Sequence, residues 1–276
     1  MYRTVVIPIA WSDPADAVAT TVDHGARLAR QVGANVELLS VFPRYVDTDE
    51  VAEHLHGIAD SHGLDAGYQM CAGDPAVTIA EIGSEPGNLL CMASHGRRPL
   101  AELALGSVSA QVVRTCRRPL VLVGPHCGPA PEVYRSLVVA LDGSELAETI
   151  LPVAIEWSRH LDVTPWFFQV LPARVPLEVG ESHGDLQEAA YVHRMADLLG
   201  VEGLKAGWDV AHDRHPAAAI AAFAAAQPPA LVALSTHGRS GLDRLVLGSV
   251  ALAVTHQATC PVLVHRPRNP HREDSR

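Results

Sequence analysis

Lysine is almost absent from this chain: of 21 basic residues among 276, only Lys205 is a lysine and the others are arginines. A Walker A phosphate-binding loop, which needs the sequence Gly-Lys-Ser/Thr, is therefore excluded. The sequence also contains no Gly-x-Gly-x-x-Gly turn and no Gly-x-Ser-x-Gly elbow. It thus lacks the fingerprints of a dinucleotide-binding enzyme and of a serine hydrolase.

Basic charge is scarce throughout the chain, which has a net charge of −10. Nine basic and 14 acidic residues fall in residues 1–130, and 12 and 17 fall in the remainder, so each half carries a net charge of −5. Neither half offers the basic patch or tail that nucleic acids and anionic membranes require. We therefore predict a protein that binds neither nucleic acid nor membrane.

Long apolar runs and an export signal are also missing. The longest strongly apolar run, residues 217–226, is about half of the ~20 residues that a membrane-spanning helix needs. The first residues lead directly into a strand-like Val-Val-Ile, without the charged and apolar regions of a signal peptide. The five cysteines form no Cys-x-x-Cys pair and no metal-like spacing. These features predict a cytoplasmic protein with reduced thiols and no bound metal.

The chain consists of two copies of one unit. The sequence at residues 94–97 recurs at 236–239, and that at 105–108 recurs at 247–250, in both cases 142 residues later. A proline followed by an apolar strand closes each copy at the same offset. A repeat with this period indicates two similar domains in tandem. We predict unit one at residues 1–124, a linker at 125–134, unit two at 135–267 and a polar tail at 268–276.

Apolar runs and helical patterns alternate along each unit, which indicates a doubly wound α/β sheet. We predict two tandem Rossmann-like domains, each a five-stranded parallel sheet with helices on both faces. In unit one the predicted strands are 4–9, 36–42, 66–71, 88–93 and 120–123, and the predicted helices are 14–32, 48–62, 75–84 and 105–116. In unit two the predicted strands are 136–141, 164–170, 204–210, 230–235 and 261–265, and the predicted helices are 145–160, 185–199, 215–226 and 247–257.

The loop after the fourth strand of each unit is typical of a phosphate-binding loop. In unit two, Gly238 lets the backbone approach a ligand, and Gly248-Ser249 opens a helix whose free amides and dipole favour an anion. Arg239 adds positive charge. Taken alone, Gly248-Ser249 is typical of an ordinary helix cap. Its spacing from Gly238 and its repetition in unit one favour a nucleotide loop instead.

With these motifs the sequence resembles the universal stress protein family in a tandem two-domain form. In the ATP-binding branch of that family the loop is Gly-x2-Gly-x9-Gly-Ser/Thr, and this chain has Gly238-x9-Gly248-Ser249 and Gly96-x9-Gly106-Ser107. The first glycine of the pattern is replaced by a serine in unit two and by an alanine in unit one. The resemblance covers nearly the whole chain and implies ATP as the ligand, with or without Mg²⁺ held by its phosphates.

The resemblance also implies contacts at the strand ends. The family uses an aspartate after the first strand, which falls on Asp142 in unit two, whereas unit one has Ala10. Unit one thereby loses a charge-assisted hydrogen bond to ribose, so we expect it to be a weaker or empty site. Asp142 is also suited to turning the chain into the first helix. The implied contacts in unit two are Asp142, Val170, Ser235, Gly238, Arg239, Gly248, Ser249 and Val250. In unit one they are Val41, Ala93, Gly96, Arg97, Gly106, Ser107 and Val108.

Three functions compete for this pattern. The first is a cytoplasmic adenine-nucleotide sensor or regulator with little or no hydrolysis and no catalytic residue. The second is a slow ATPase or adenylating enzyme on the same scaffold, although the loop offers only Asp243 as a metal ligand or water-orienting group. The third is a ligand-free interaction module, which suits unit one better than unit two.

The last strand of each unit is predicted to join the two units. In the family these strands commonly pair between domains, and a tandem chain can form that pair within itself. We predict an intrachain pseudo-dimer in which residues 119–123 pair with 261–265 about a pseudo-twofold axis. A homodimer of whole chains is also compatible with the sequence, which does not identify a protein partner.

Overall fold

The computed structural model describes residues 2–10, 13–43, 46–95, 105–173, 184–201, 203–227, 229–236 and 247–267. Over these residues strands and helices alternate as predicted. The strands are β1 (Thr4–Pro8), β2 (Asn35–Phe42), β3 (Ala66–Ala72), β4 (Asn88–Ala93), β5 (Leu120–Val123), β6 (Ser136–Leu141), β7 (Thr164–Leu171), β8 (Gly207–His212), β9 (Ala230–Ser235) and β10 (Val262–His265). The helices are α1 (Ala15–Val32), α2 (Thr48–His62), α3 (Pro75–Ser84), α4 (Ser107–Thr115), α5 (Glu145–Glu148), α6 (Leu151–Leu161), α7 (Gly184–Val201), α8 (Pro216–Ala225) and α9 (Ser249–Gln257). None of the helices in these ranges is long and apolar enough to cross a bilayer.

The strands form one sheet in the order β3-β2-β1-β4-β5-β10-β9-β6-β7-β8. Within each unit neighbouring strands are parallel, which confirms the predicted doubly wound fold. Helices cover both faces: side chains of α1, α2, α6 and α7 share one buried apolar cluster, and those of α3, α4, α8 and α9 share the other. The central strands are therefore buried on both sides, which explains their continuous apolar runs.

The two units join through their last strands. β5 and β10 pair antiparallel, with Leu263 opposite Val121, which confirms the predicted intrachain pairing. An antiparallel pair has a local twofold axis normal to the sheet, so the same face of each unit is on the same side of the molecule. The carboxyl ends of the strands consequently point to opposite edges of the sheet in the two units.

Most predicted elements of unit two are observed within two residues of their predicted bounds, and two differ more. The predicted strand 204–210 is observed as β8, which begins three residues later, because Gly203 follows α7 with a φ of 76° and Leu204 N–H donates to Leu199 O. The predicted helix 145–160 is divided into α5 and α6. Pro152 near the start of α6 has no N–H to continue α5, so the chain breaks there.

The segment between the units is tied to unit one by a buried polar network. His24 on α1 is 2% exposed and lies between Gly128 and Tyr134. Its Nε2 lies 3.0 Å from Gly128 O and must donate, so Nδ1 of the neutral ring accepts from the Tyr134 hydroxyl at 2.5 Å. Gln31 adds bonds to both the N–H and the carbonyl of Tyr134. Burial lowers the pKa of His24 below its usual value.

This network predicts an acid-sensitive connection between the units. Because the folded protein disfavours protonated His24, the unfolded chain binds the proton first as pH falls below about 6.5. The free energy of unfolding should therefore decrease from pH 6.5 downwards until the lowered pKa of folded His24 is passed. Urea unfolding between pH 8 and 5 should show a shallower decrease for His24→Gln than for the wild type. The control, His160→Gln at an exposed side chain, should keep the wild-type slope; an equally steep decrease in His24→Gln would contradict the assignment.

Candidate functional site

Unit one contains a cleft where the sheet changes direction. Strands β2 and β3 lie on one side of β1, and β4 and β5 lie on the other side. The carboxyl ends of β1 and β4 therefore flank a topological switch point. A cleft of about 960 Å³ opens there, between the first turns of α2 and α3. Its lining includes five of the predicted unit-one residues, Val41, Ala93, Gly106, Ser107 and Val108. We call it the unit-one cleft.

The helices α4 and α9 begin in the same way. Gly106 and Gly248 are their N-cap residues, and no side chain among the described residues caps either helix. Each glycine donates its own N–H to a strand-end carbonyl, Ser94 O at 2.9 Å and Thr236 O at 2.7 Å. Gly248 is thus a helix cap, as the pair taken alone predicts, whereas Ser249 is the first helical residue and its hydroxyl does not cap α9. Within the part of the chain that the structure describes, the first-turn amides of both helices, the usual anion-binding groups, accordingly have no side-chain acceptor.

Asp142 is held rigidly just after β6. Its Oδ1 accepts from Ser144 N–H at 3.0 Å and from the Ser144 hydroxyl at 2.6 Å, and the Ser144 hydroxyl accepts from Ala147 N–H at 3.2 Å. Gly143 between them has a φ of 81°. The expected turn into the helix is therefore present. It also fixes the carboxylate at the carboxyl end of β6.

Unit one places a different carboxylate near the corresponding position. Ala10 replaces Asp142, but Asp13 lies in the unit-one cleft and its Oδ2 accepts from Ala10 N–H at 3.1 Å. Asp47 and Glu50 from the start of α2 also line the cleft. Sequence comparison missed Asp13 because it aligns with Glu145 and not with Asp142.

Ser235, which replaces the first glycine of the family loop, is tied to α5. Its side chain is 8% exposed and its hydroxyl lies 2.9 Å from Thr149 Oγ1. Thr149 donates its own proton to Leu146 O at 2.6 Å, so Ser235 is the donor in the pair. Unit one has Ala93 and Ala17 at these two positions, so both hydroxyls are absent there together.

A tyrosine on α7 borders the Asp142 turn. The Tyr191 hydroxyl donates to Glu148 Oε1 at 3.0 Å. Burial raises the pKa of Tyr191, and the negative charges of Glu148 and Asp142 raise it further. Unit two thus carries two carboxylates beside Tyr191 on the side of the site covered by α7.

The remaining predicted residues divide into two groups. Val41 and Val170 each lie one residue before the end of a strand, opposite Cys71 and Ala211. Val250 is 39% exposed in the first turn of α9, next to an exposed Ser249. Four predicted residues of the loops lie outside the described residues: Gly96, Arg97, Gly238 and Arg239.

The unit-one cleft also touches unit two. His95, which lines the cleft, accepts from or donates to the Ser94 hydroxyl through Nδ1 at 2.6 Å. Its ring lies edge-on to His256 at the end of α9, with centroids 5.7 Å apart, and His256 packs against His126 at 5.1 Å. Among the described residues, no group of three or more side chains has the arrangement of a metal site. The histidines therefore connect the cleft to the linker and to the second unit.

Known proteins share this sequence and fold. A sequence model of the universal stress protein family matches residues 1–124 and 133–266. A universal stress protein of Mycobacterium tuberculosis is 31% identical over 204 residues, which cover 70% of this chain and 66% of the relative, just under two thirds of its length. One from Methanocaldococcus jannaschii is 29% identical over 139 residues, covering 48% of this chain and 82% of that protein. The crystal structure of a universal stress protein from Archaeoglobus fulgidus has the same fold, with a TM-score of 0.67 at 19% identity over 95% of this chain and 98% of that one. This chain therefore belongs to the universal stress protein family, with two family domains in tandem.

Proposed function

We propose that this protein is a cytoplasmic regulator in the stress response that binds an adenine nucleotide, ATP, mainly in unit two. The observation that carries the proposal is the first turn of α9, which no described side chain caps and whose N-cap Gly248 donates to Thr236 O just after β9. Such a turn presents free N–H groups and the positive end of the helix dipole to an anion. A terminal phosphate group is the anion that the family resemblance supplies.

The residues around α9 fit the other parts of a nucleotide. Ser249 places a hydroxyl beside the phosphates, and Asp142 holds a carboxylate that can accept from a ribose hydroxyl. In this proposal the backbone at Val170 contacts the adenine base. The related unit-one cleft has a volume of about 960 Å³. That volume lies within the range of roughly 300–1,000 Å³ typical of small-molecule sites. Any Mg²⁺ would be held mainly by the phosphates.

We further propose binding without appreciable turnover. Hydrolysis needs a group that orients the attacking water and a firm carboxylate ligand for the metal. The candidate from the loop, Asp243, lies outside the described residues. Asp142, the carboxylate at the end of β6, is assigned in this proposal to a ribose hydroxyl and not to a metal ion. A slow ATPase is the competing function, and it makes the opposite prediction about turnover.

The test is to denature the purified protein, identify any nucleotide released, and titrate nucleotide-free protein with ATP. We expect about one strongly bound equivalent per chain, intact after hours, and a rise in the melting temperature with ATP concentration. Asp142→Asn, which keeps the size of the side chain, should weaken binding by roughly tenfold through loss of one charged hydrogen bond. Two equivalents of equal affinity would contradict the ranking of the units. The absence of both bound nucleotide and thermal shift would favour the interaction module, and enzyme-like turnover would favour the ATPase.

A further inference from the structure

The outer strand of unit one is an open edge of the sheet. β3 is the first strand in the sheet order, and among the described strands only β2 pairs with it. Four of its seven residues are exposed: Gly67, Tyr68, Met70 and Ala72. This edge therefore presents a row of backbone N–H and C=O groups that no described strand of the chain satisfies.

β3 also lacks the features that keep an edge strand from pairing. Its sequence, Ala-Gly-Tyr-Gln-Met-Cys-Ala, contains no charged residue and no proline. β8, at the opposite edge of the sheet, carries the exposed Asp209 in its interior. Tyr68 and Met70 are 39% and 41% exposed and lie on the same face of β3. Of the two edges, β3 is thus the one suited to binding another strand.

We propose that β3 is the interface of a homodimer, in which it pairs antiparallel with β3 of a second copy of this chain. The strand is complementary to itself about Gln69, its middle residue. Pairing centred there places Tyr68 opposite the partner's Met70, and Met70 opposite the partner's Tyr68. Methionine sulfur packs favourably against an aromatic ring. Gln69 faces the partner's Gln69, and two carboxamides can each donate to and accept from the other.

The centred register is the best that this strand offers. In an antiparallel pair, opposed side chains point to the same face, so a shift of one residue would oppose side chains of different faces. A shift of two residues leaves only five of the seven residues paired. In one direction it places Met70 opposite the partner's Ala66, and in the other it places Tyr68 opposite the partner's Ala72. Either shift therefore separates the tyrosines from the methionines.

The chain already uses this mode of association within itself. β5 and β10 join its two units as an antiparallel pair. On one face of that join α1 meets α6, where Gln31 Nε2 donates to Leu161 O at 2.6 Å. Pairing through β3 would extend the sheet to a second copy in the same way. α2 packs on β3 through His56 and Tyr68, whose ring centroids are 4.4 Å apart, so it would lie beside the partner's α2.

Size and charge predict a weak dimer. Seven strand residues span about 24 Å, and with one helix layer the contact would bury roughly 1,000 Å² in total, below the size of most stable interfaces. Each chain has a net charge of −10, and α2 carries the exposed Asp49, Glu53 and Asp60. These charges repel between copies, so the dimer should strengthen as salt is raised. We expect a dissociation constant on the order of 10 μM at about 0.15 M salt.

Sedimentation velocity tests the interface, with protein from roughly tenfold below to tenfold above that concentration. Tyr68→Lys places a charge in the strand pair and should weaken dimerisation by about tenfold or more. Trp208→Lys is the matched control. Trp208 is equally exposed at 39%, and it occupies the same register position of β8, opposite Phe167, as Tyr68 does of β3, opposite Leu38. It adds the same charge at the other edge and should dimerise like the wild type.

Cross-linking tests the register. Centred pairing places residue 67 opposite the partner's Cys71, with Cα atoms about 4.5–5.5 Å apart, a separation that a disulfide can bridge. Gly67→Cys should therefore give a covalent dimer with aerobic copper phenanthroline. The wild type should not, and neither should Gly67→Cys combined with Cys71→Ser. Residues 67 and 71 of one strand are about 13 Å apart, too far for a bridge within the chain.

Each result supports the interface or overturns it. A wild type that stays monomeric over this range, at low and at high salt, overturns the proposal. Equal dimerisation of the wild type and Tyr68→Lys places the interface elsewhere, and loss in Trp208→Lys alone assigns it to β8. A dimer that weakens as salt is raised is held by ion pairs and not by β3. Both lysine variants change exposed side chains, and thermal melting shows that they are folded; the cross-link decides the matter if Tyr68→Lys is not.

Discussion

Ser249→Asp should reduce the affinity of unit two for ATP by more than about 100-fold while the protein remains folded. Ser249 is exposed at the first position of α9, where a carboxylate interacts favourably with the helix dipole by roughly 0.3–1 kcal/mol. The same carboxylate stands where the phosphates are proposed to bind. Two like charges about 4 Å apart repel by roughly 4 kcal/mol at an effective dielectric constant of 20, which corresponds to a loss of several hundredfold. Calorimetric titration gives the affinity, and thermal melting of nucleotide-free protein shows that the fold is intact.

Unit one supplies a matched control for this substitution. Ser107 is likewise exposed at the first position of α4, after the same glycine N-cap. Ser107→Asp should leave the strong site unchanged, and Ser249→Ala should weaken it only several-fold, as expected for one neutral hydrogen bond. Normal ATP binding by Ser249→Asp would show that the phosphates are not at α9. Loss of the strong site in Ser107→Asp instead would show that unit one is the main binding domain.

The fold was largely predictable from the sequence because its signals are local. A strand buried on both faces needs a continuous apolar run, and β4, β5 and β9 have such runs. The strand-to-helix junctions of both units were predictable for a similar reason. Gly106 and Gly248 lie at one offset in the sequence and adopt one backbone geometry, with φ near −57° in both. Because the glycine-serine pair occurs at the same place in both units, the sequence alone indicated a shared helix start and not a chance pair.

The contacts that refine the site were not predictable, because they join segments distant in the chain. Ser235 and Thr149 are separated by 86 residues, and neither belongs to a motif that indicates the other. Asp13 was missed for a different reason: its bond to Ala10 N–H is local, but it depends on a turn that unit two does not share.

The antiparallel join between the units has a functional consequence. The proposed sites face opposite edges of the sheet, so one ligand cannot bridge both. Contact between the units nevertheless reaches a site, because His95 of the unit-one cleft packs against His256 at the end of α9. The first turn of that same helix is the proposed phosphate site of unit two. α9 therefore connects the two sites through a single helix. The position of α9 depends on its contact with the end of β5, which we call the seam.

Gly124→Ala should destabilise that seam strongly. Gly124 follows β5, and a Cβ atom added there would lie 2.1 Å from Thr255 O and 3.3 Å from Thr255 C in α9. These are backbone atoms, so the overlap can be relieved only by moving α9 or the end of β5. Overpacking of this kind costs about 3 kcal/mol. That loss corresponds to a decrease of roughly 6–10 °C in the melting temperature of a chain of this size.

Gly128→Ala is the matched control because it adds the same methyl group to the same linker region. Its Cβ would lie 3.7 Å from Thr259 O, an ordinary contact, so its melting temperature should stay close to that of the wild type. If Gly124→Ala also melts like the wild type, α9 is not held against β5 as closely as the structure indicates. If it melts early and also binds ATP several-fold more weakly, the displaced α9 has carried the disturbance from the seam to its own first turn. That pairing of effects is expected because the seam and the proposed phosphate site lie at opposite ends of one nine-residue helix.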